Sequence, residues 1–284
     1  MIGAIVLTQG RRPAELAAAL ESLRAQRDVE LDIVVVGNGW EPSGLPDGVR
    51  AVALPDDRGV PGGRNAGVPA VRGDVLFFLD DDARLAAPDT LARVEERFAA
   101  EPDLALLQPR VYASDGGRPP RDWVPRLRVG DRARSSDVAT VWEGAVAVRR
   151  AAFDAAGGWP DAFVRAHEGI DLTWRMLDLG YRAHYTGDIA TLHPSYATAP
   201  YDHSLYFGAR NRVWVAHRHL PLPLAVLYVV CFALRTIPVL RTPARARTAL
   251  RGYRDGLRRP CGPRRPLRAK TLWHMTRLGR PPII

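Results

Sequence analysis

The sequence predicts an α/β protein: a mostly parallel, Rossmann-like sheet flanked by helices, followed by a helical C-terminal extension. Three observations predict it. Short, unbroken apolar runs recur through the first half of the chain; most are followed by a segment with helical periodicity; and after Pro194 the strand-like pattern fades into segments rich in aromatics and arginine. Strands buried on both faces read as continuous apolar runs, and helices on both sides of the sheet supply their cover.

Residues 2–7 form the first apolar run. Pro13 suits a first helical turn, where its missing N–H would have no partner, and it opens a helix whose Leu16, Leu20 and Leu23 share one face. Residues 31–36 (LDIVVV) are a second buried strand and 50–54 a shorter third. Pro61-Gly62-Gly63-Arg64-Asn65 reads as a turn into a short helix over 65–71. Residues 74–79 (DVLFFL) are another buried strand, and Pro88-Asp89-Thr90 starts a helix with Leu91, Val94 and Phe98 inward. Residues 113–137, rich in Gly, Pro and Arg and without a period, read as a mobile loop near substrate. A strand over 141–148, a turn at Gly157-Gly158-Trp159-Pro160 and a helix over 168–179 follow. Gly180 stops that helix, whose apolar face is Leu172, Met176 and Leu179. A last short strand spans 182–186. The sheet domain is placed at residues 1–200 and the helical, arginine-rich extension at 201–284. In such sheets ligands bind at the carboxyl ends of strands, near a switch point.

The chain has 284 residues, 46% hydrophobic and 25% charged, which excludes wholesale disorder and leaves ample chain for a core. Cys231 and Cys261 are too few for a disulfide scaffold or a multi-cysteine zinc module, so a reducing, cytoplasmic setting is expected. The N-terminus lacks a basic leader segment and reads as a strand rather than a signal peptide. The net charge of +9 is concentrated: residues 241–284 hold 13 Arg or Lys against one acid, Asp255, leaving −3 on the rest. The tail should seek anionic surfaces. Residues 220–240 are apolar but interrupted by Pro221, Pro223, Arg235 and Pro238. The clean run, 224–234, is short of the roughly 20 residues a spanning helix requires.

Asp80-Asp81-Asp82 directly follows DVLFFL. Adjacent carboxylates repel, and at the end of a buried strand they are costly without a cation. In an extended segment residues i and i+2 point the same way, so Asp80 and Asp82 can converge on one hard divalent ion, Mg²⁺ or Mn²⁺. A solvated acidic turn capping the next helix is the other reading; the buried strand favours the metal. If Asp80 and Asp82 hold a metal, His193 can add a ligand, although a lone His is more often structural or merely exposed. Between His167 and Arg175, Glu168 and Asp171 are i, i+3 neighbours and Asp171 and Arg175 are i, i+4. One acid held by Arg175 stays ionised while the other can act as a general base. Spacing alone favours the plainer alternative, acids suited to a helix first turn and a surface ion pair. Gly37-Asn38-Gly39 and Gly62-Gly63-Arg64-Asn65 allow close approach of a ligand, without forming a phosphate-loop or dinucleotide fingerprint.

Taken in order, AIVLTQGRRPAELAAALESLRAQ, DIVVVGNGW, GVPGGRNAGV, GDVLFFLDDDARL, WEGAVAVRRAAFDAAGGWPDAFVRAHEGIDLTWRMLDLGYR and the LHP containing His193 resemble the bacterial family 2 glycosyltransferases with the GT-A fold. The resemblance covers about residues 1–195. YFGARNRVWVAHRHLP is similar to the segment that follows the catalytic domain in bacterial members. The resemblance implies transfer of a hexosyl or deoxyhexosyl group from a nucleotide-diphosphate sugar to an acceptor hydroxyl, with inversion, in cell-envelope polysaccharide or glycolipid synthesis. It implies that Thr8 and Gly37-Asn38-Gly39 lie near base and ribose, and that Gly63, Arg64 and Asn65 line the nucleotide pocket. Asp80 and Asp81 would contact the nucleotide-sugar, and Asp80, Asp82 and His193 would hold Mn²⁺ or Mg²⁺. Glu168 is the preferred base and Asp171 the alternative; Trp142, Glu143, Gly144 and His167 would shape the acceptor site. Two departures stand out. Members commonly carry an Asp base where this chain has Gly169, and an Asp after the second strand where it has Asn38.

The apolar stretch and the arginine tail together suit the headgroup region on the cytoplasmic face of the plasma membrane, and thereby a lipid-linked acceptor. Packing of 220–240 on the catalytic domain or on a second copy fits the same pattern. No nucleic-acid partner is expected, because the tail contains no recognisable module. Two other function classes compete. A nucleotidyltransferase making the nucleotide-sugar would want a Gly/Arg/Lys-rich phosphate loop after the first strand, for which Thr8-Gln9-Gly10-Arg11-Arg12 is a poor match. A catalytically degenerate nucleotide-sugar-binding scaffold is suggested by Gly169.

Overall fold

The computed structural model describes residues 1–195, 202–259 and 261–283. The boundary expected at residue 200 lies outside the described residues. One sheet is built from β1 (Ile2–Thr8), β2 (Leu31–Asn38), β3 (Val49–Leu54), β4 (Val75–Asp80), β5 (Arg84–Leu85), β6 (Leu104–Ala113), β7 (Ser136–Asp137), β8 (Ala145–Arg149) and β9 (Arg182–His193). Its order is β3-β2-β1-β4-β8-β6-β9-β5, with β7 also paired to β9. The β3-β2-β1-β4 half and the β6–β9 pair are parallel, and these ladders carry most of the paired residues, as expected from the sequence. β8 runs antiparallel between β4 and β6, and β5 and β7 pair antiparallel with β9. The carboxyl ends of β2, β1 and β4 emerge side by side, where an open α/β sheet binds its ligand.

Alternate residues of each strand feed two cores. On one face Ala4, Val6 and Phe77 pack with Leu16, Leu20 and Leu23 of α1 (Pro13–Arg24) and with Leu91, Val94 and Phe98 of α3 (Thr90–Ala100). On the other, Ile5, Val36 and Phe78 meet Phe153 of α4 (Arg150–Ala156), Trp159, and Leu172 and Met176 of α5 (Glu168–Leu179). Leu179, expected on that apolar face, is 51% exposed because it is the last residue before the left-handed Gly180 cap.

Several elements differ from the sequence expectation, and β5, β7 and α4 were not anticipated at all. The glycine-rich segment is not a turn but the body of α2 (Gly59–Gly67). Its glycines let the helix lie directly on the sheet: a Cβ at Gly67 would sit 2.7 Å from Ile5 and 2.8 Å from Val36, and one at Gly63 would collide with Leu7. Strand β6 was not anticipated, since Gln108-Pro109-Arg110 breaks the apolar run; the structure absorbs Pro109 at a register shift against β9. Strand β8 is shorter than 141–148, its first residues being the approach to the site. Strand β9 is longer than 182–186, because Thr186–Thr191 stay in the sheet despite Gly187 and Asp188. Residues 113–137 contain no long element, as expected, yet they are packed: Trp123, Val124 and Arg126 are buried, and the Arg126 guanidinium donates to the carbonyls of Val129, Asp131 and Arg134.

The extension contributes α6 (Asp202–His219), α7 (Leu222–Thr236), α8 (Pro243–Arg258) and α9 (Ala269–Arg277). It shares a core with the sheet domain, in which Phe163, Trp174 and Leu177 pack with Trp214, Tyr228 and Met275. The prolines do not break the apolar stretch. Pro223 lies in the first turn of α7 and Pro238 in a closing 3-10 turn, places where a missing N–H is harmless. The 18 residues Leu222–Val239, of mean hydropathy 2.0 and 17% buried, are therefore long and apolar enough, by length and composition, to cross a membrane.

Candidate active site

Three acids and a histidine meet at the edge of the sheet because of strand pairing. β4 ends at Asp80, and a tight turn leads into β5, whose Arg84 pairs with Leu192 of β9. That register brings His193 against the turn. One oxygen of Asp80 accepts from Arg64 Nη2 at 2.7 Å, and the other lies 3.9 Å from His193 Nε2. One oxygen of Asp82 is bound by Arg12, and the other lies 3.0 Å from the same Nε2. His193 Nδ1 donates to the Pro194 carbonyl at 2.7 Å, which orients the ring with Nε2 toward the carboxylates. Burial opposes charge on His193, but Asp82 and Asp80 outweigh it and raise its pKa.

The donor set fits a divalent cation. Ligand atoms of Asp80, Asp82 and His193 all lie within 4.8 Å of one another, and each carboxylate directs its second oxygen to the same spot. Two hard oxygens and one imidazole nitrogen suit Mn²⁺ or Mg²⁺. Asp81 turns the other way. It accepts from Thr8 Oγ1 at 2.6 Å and pairs with Arg12 Nη2 at 2.7 Å, and burial pushes its carboxyl up to about 6 against those partners.

Other expected nucleotide contacts divide into those at the site and those that build it. Arg64 is 3% exposed, binds Asp80, and keeps Nη1 without a hydrogen-bond partner. Gly37, Asn38 and Gly39 stand at the end of β2. A Cβ at Gly37 would strike the Trp40 carbonyl, and Asn38 organises the next loop through Asp57, Arg58 and Gly59. Gly63 and Asn65, expected in the nucleotide pocket, make contacts that hold the local structure. Gly63 is packed on Leu7, and the Asn65 amide is engaged by Trp159 and Asp161.

Beside Asp80 opens a cavity of about 530 Å³. All four expected acceptor residues, Trp142, Glu143, Gly144 and His167, line it, and so does Glu168. Gly169 has a physical reason: Glu143 Oε1 accepts the Gly169 N–H at 2.5 Å and fills the space a side chain there would take. Burial raises the pKa of both Glu143 and Glu168, and their mutual repulsion adds to it for Glu143. Glu168 Oε2 is buried without a partner. Asp171 is not at the cavity, which corrects its expected role as an alternative base. It is fully buried between Arg175, Arg218 (3.0 Å) and His219 (2.6 Å) and stays ionised, with its pKa held down by those partners against burial.

The loop before α5 is strained. Val164, Ala166 and His167 all have positive φ, which side chains with a Cβ rarely adopt. Asn211 of α6, fully buried, restrains it by reaching the carbonyls of Phe163, Arg165 and Ala166 at 2.7–2.9 Å. His167 Nε2 lies 3.0 Å from the Gly208 carbonyl. No spacing signal marks Asn211, Arg12, or the cavity residues Arg121, Arg212 and Arg280, which come from distant segments; only the similarity of the 206–221 segment to known bacterial chains hinted that α6 matters.

Known proteins resemble this chain in sequence and in fold. Succinoglycan biosynthesis protein ExoO of Rhizobium meliloti (strain 1021) is 37% identical over 109 residues, a match spanning 36% of this chain and 31% of that relative. The mannosyltransferase PcManGT from Pyrobaculum calidifontis, solved in complex with GDP-Man and Mn²⁺, superposes with a TM-score of 0.58 at 17% identity, over 98% of this chain and 84% of that one. S. aureus TarS 1–349 in complex with UDP-GlcNAc superposes with a TM-score of 0.63 at 14% identity, over 90% and 80%. These likenesses show the GT-A fold that the sequence predicts. Residues 4–157 match the family described as glycosyl transferase family 2. With more than half of its length matched and the acid cluster at the expected strand end, the chain belongs to glycosyl transferase family 2.

Proposed function

We propose that the protein moves a hexosyl or deoxyhexosyl group from a nucleotide-diphosphate sugar to an acceptor hydroxyl, with inversion and with a divalent metal, in cell-envelope polysaccharide or glycolipid synthesis. The observation that carries this reading is the convergence of Asp80, Asp82 and His193 at the carboxyl edge of the sheet, beside a cavity whose lining includes the buried pair Glu143 and Glu168. The named relatives support it: one takes part in succinoglycan biosynthesis, and the solved neighbours hold GDP-Man with Mn²⁺ or UDP-GlcNAc.

Asp80, Asp82 and His193 would hold Mn²⁺ or Mg²⁺, which when bound supplies charge neutralisation for a departing diphosphate. Arg64, which holds Asp80 and keeps Nη1 without a hydrogen-bond partner, would assist it. Glu168 takes the proton from the acceptor hydroxyl, since its Oε2 is the unpartnered acceptor while Glu143 is committed to the Gly169 N–H. Inversion needs only one base, on the face opposite the leaving group. The test is a thermal-shift screen of nucleotide-sugars with and without Mn²⁺. At a hundred times Kd a true donor stabilises the native state by about 2.7 kcal/mol. No shift with any nucleoside diphosphate or its sugar would sink the reading.

The protein works on the cytoplasmic face of the plasma membrane, as a peripheral protein. Support comes from the outer side of α7, where Leu222, Val226, Val230 and Leu234 recur every fourth residue and are 48–67% exposed, and from the arginines that follow. Co-sedimentation with vesicles rich in anionic lipid, weakened by salt and by Val226→Ser/Val230→Ser, is the expected result. Equal recovery in the supernatant with and without vesicles argues against it.

A further inference from the structure

The cavity carries a cluster of cations that the transfer chemistry leaves unused. Arg121 from the loop after β6, Arg212 from α6 and Arg280 beyond α9 all line it. Three segments far apart in the chain each deliver one guanidinium, and the groups they hydrogen-bond are neutral. Arg121 donates to the carbonyls of Arg126 and Leu127, and Arg280 to that of Pro125 at 3.4 Å. Arg212 reaches Thr236 Oγ1 at 3.5 Å and stacks on Phe232 at 4.2 Å, while its Nε is buried with no partner at all. Among the described residues none of the three forms an ion pair with a carboxylate; Asp122, also in the lining, is exposed.

The electrostatics agree with an unfilled anion position. Burial first, then repulsion from Arg121 and Arg235, lowers the Arg280 pKa, with Tyr228 opposing. Burial, with Arg212 and Arg280 adding repulsion, pushes the His167 imidazole down to about 3, so it is neutral and does not compete for an anion. Like charges gathered in a partly dry cavity are unfavourable alone and become favourable around a multiply charged oxyanion, which guanidinium forks match in shape.

We propose that Arg121, Arg212 and Arg280 bind the phosphate or diphosphate group of a phosphorylated acceptor, holding its hydroxyl toward Glu168. This rests on the glycosyl-transfer reading above and names the class of its acceptor. Tyr228 and Phe232, which line the same cavity, belong to α7, whose other side is the exposed apolar stripe. The anion position thus lies one helix away from an apolar surface, an arrangement suited to a phosphate ester bearing a lipid chain.

Isothermal titration of the full chain in EDTA, with inorganic pyrophosphate, farnesyl diphosphate and farnesol, tests this away from the metal site. The diphosphates are expected to bind in a salt-sensitive way, at least tenfold more weakly to Arg212→Gln/Arg280→Gln, with nucleoside diphosphate plus Mn²⁺ still producing a full thermal shift. Arg121→Gln, on an exposed side chain, is expected to weaken binding in the same direction and serves if the double variant fails to fold. Farnesyl diphosphate binding far better than pyrophosphate, with farnesol silent, identifies a lipid-linked source; equal binding identifies a soluble phosphorylated acceptor. No diphosphate binding, unchanged binding in the variants, or variants that lose only the nucleotide would overturn the proposal. Arginine-dependent diphosphate binding in a protein that takes no nucleotide would keep the anion site and remove the transfer reading instead.

Discussion

Asp82→Asn is expected to abolish Mn²⁺-dependent nucleotide binding and to lower donor turnover by at least about a hundredfold. Asp82 is buried and serves two masters: one oxygen holds Arg12, the other faces His193 Nε2 beside the second oxygen of Asp80. The amide keeps the shape but presents one neutral oxygen and one N–H donor. It cannot hold Arg12 and contribute a hard anionic ligand together. The Arg12 pair would weaken too, but Arg12 is 40% exposed and keeps its pair with Asp81, so only a modest loss of stability accompanies the loss of metal. Titration calorimetry with Mn²⁺ and a nucleoside diphosphate, alongside a donor-hydrolysis assay, provides the check. A variant with wild-type metal dependence would show that the acid cluster is only an acidic turn.

Glu168→Gln is expected to lower kcat by roughly 10²- to 10⁴-fold, the usual contribution of a general base, with donor KM little changed. The pH dependence separates the two buried carboxyls. Burial raises both, so an acceptor proton can be taken only above the ordinary carboxylate range, and activity rises with pH through that raised value. Glu143→Gln keeps an acceptor for the Gly169 N–H but removes a negative neighbour. Because repulsion between two titrating groups is reciprocal, the acidic limb of the profile should move to lower pH while activity persists. If Glu143→Gln instead removes activity and Glu168→Gln only moves the limb, the base is Glu143. If neither matters, the base assignment is wrong.

Much of the site was legible in sequence where one segment carries a whole feature. Asp80 and Asp82 sit two apart at the end of DVLFFL, and the structure brings both to one point. His193 was legible as a ligand mainly through the family resemblance, because the strand that delivers it runs on through Gly187 and Asp188, where apolar alternation fails. Asp171 and Arg175 form the predicted i, i+4 pair, yet the pair is buried against α6 rather than exposed. Helical spacing cannot tell a surface pair from one that a later helix will cover. Gly169 read as a missing base; in the folded chain it is the gap occupied by Glu143, from a segment 26 residues earlier.

The sequence by itself determined the α/β class, the buried strands, the acid cluster and the basic tail, because each is written in local order: continuous apolar runs, adjacent carboxylates, a run of arginines. Only the tertiary structure decided that Glu168 rather than Asp171 lines the cavity, that α2 is a helix lying on the sheet, and that Arg121, Arg212 and Arg280 line one cavity. Those outcomes depend on strand register and helix packing between residues far apart in the chain, where loop closure and shared burial, rather than local propensity, select the neighbours.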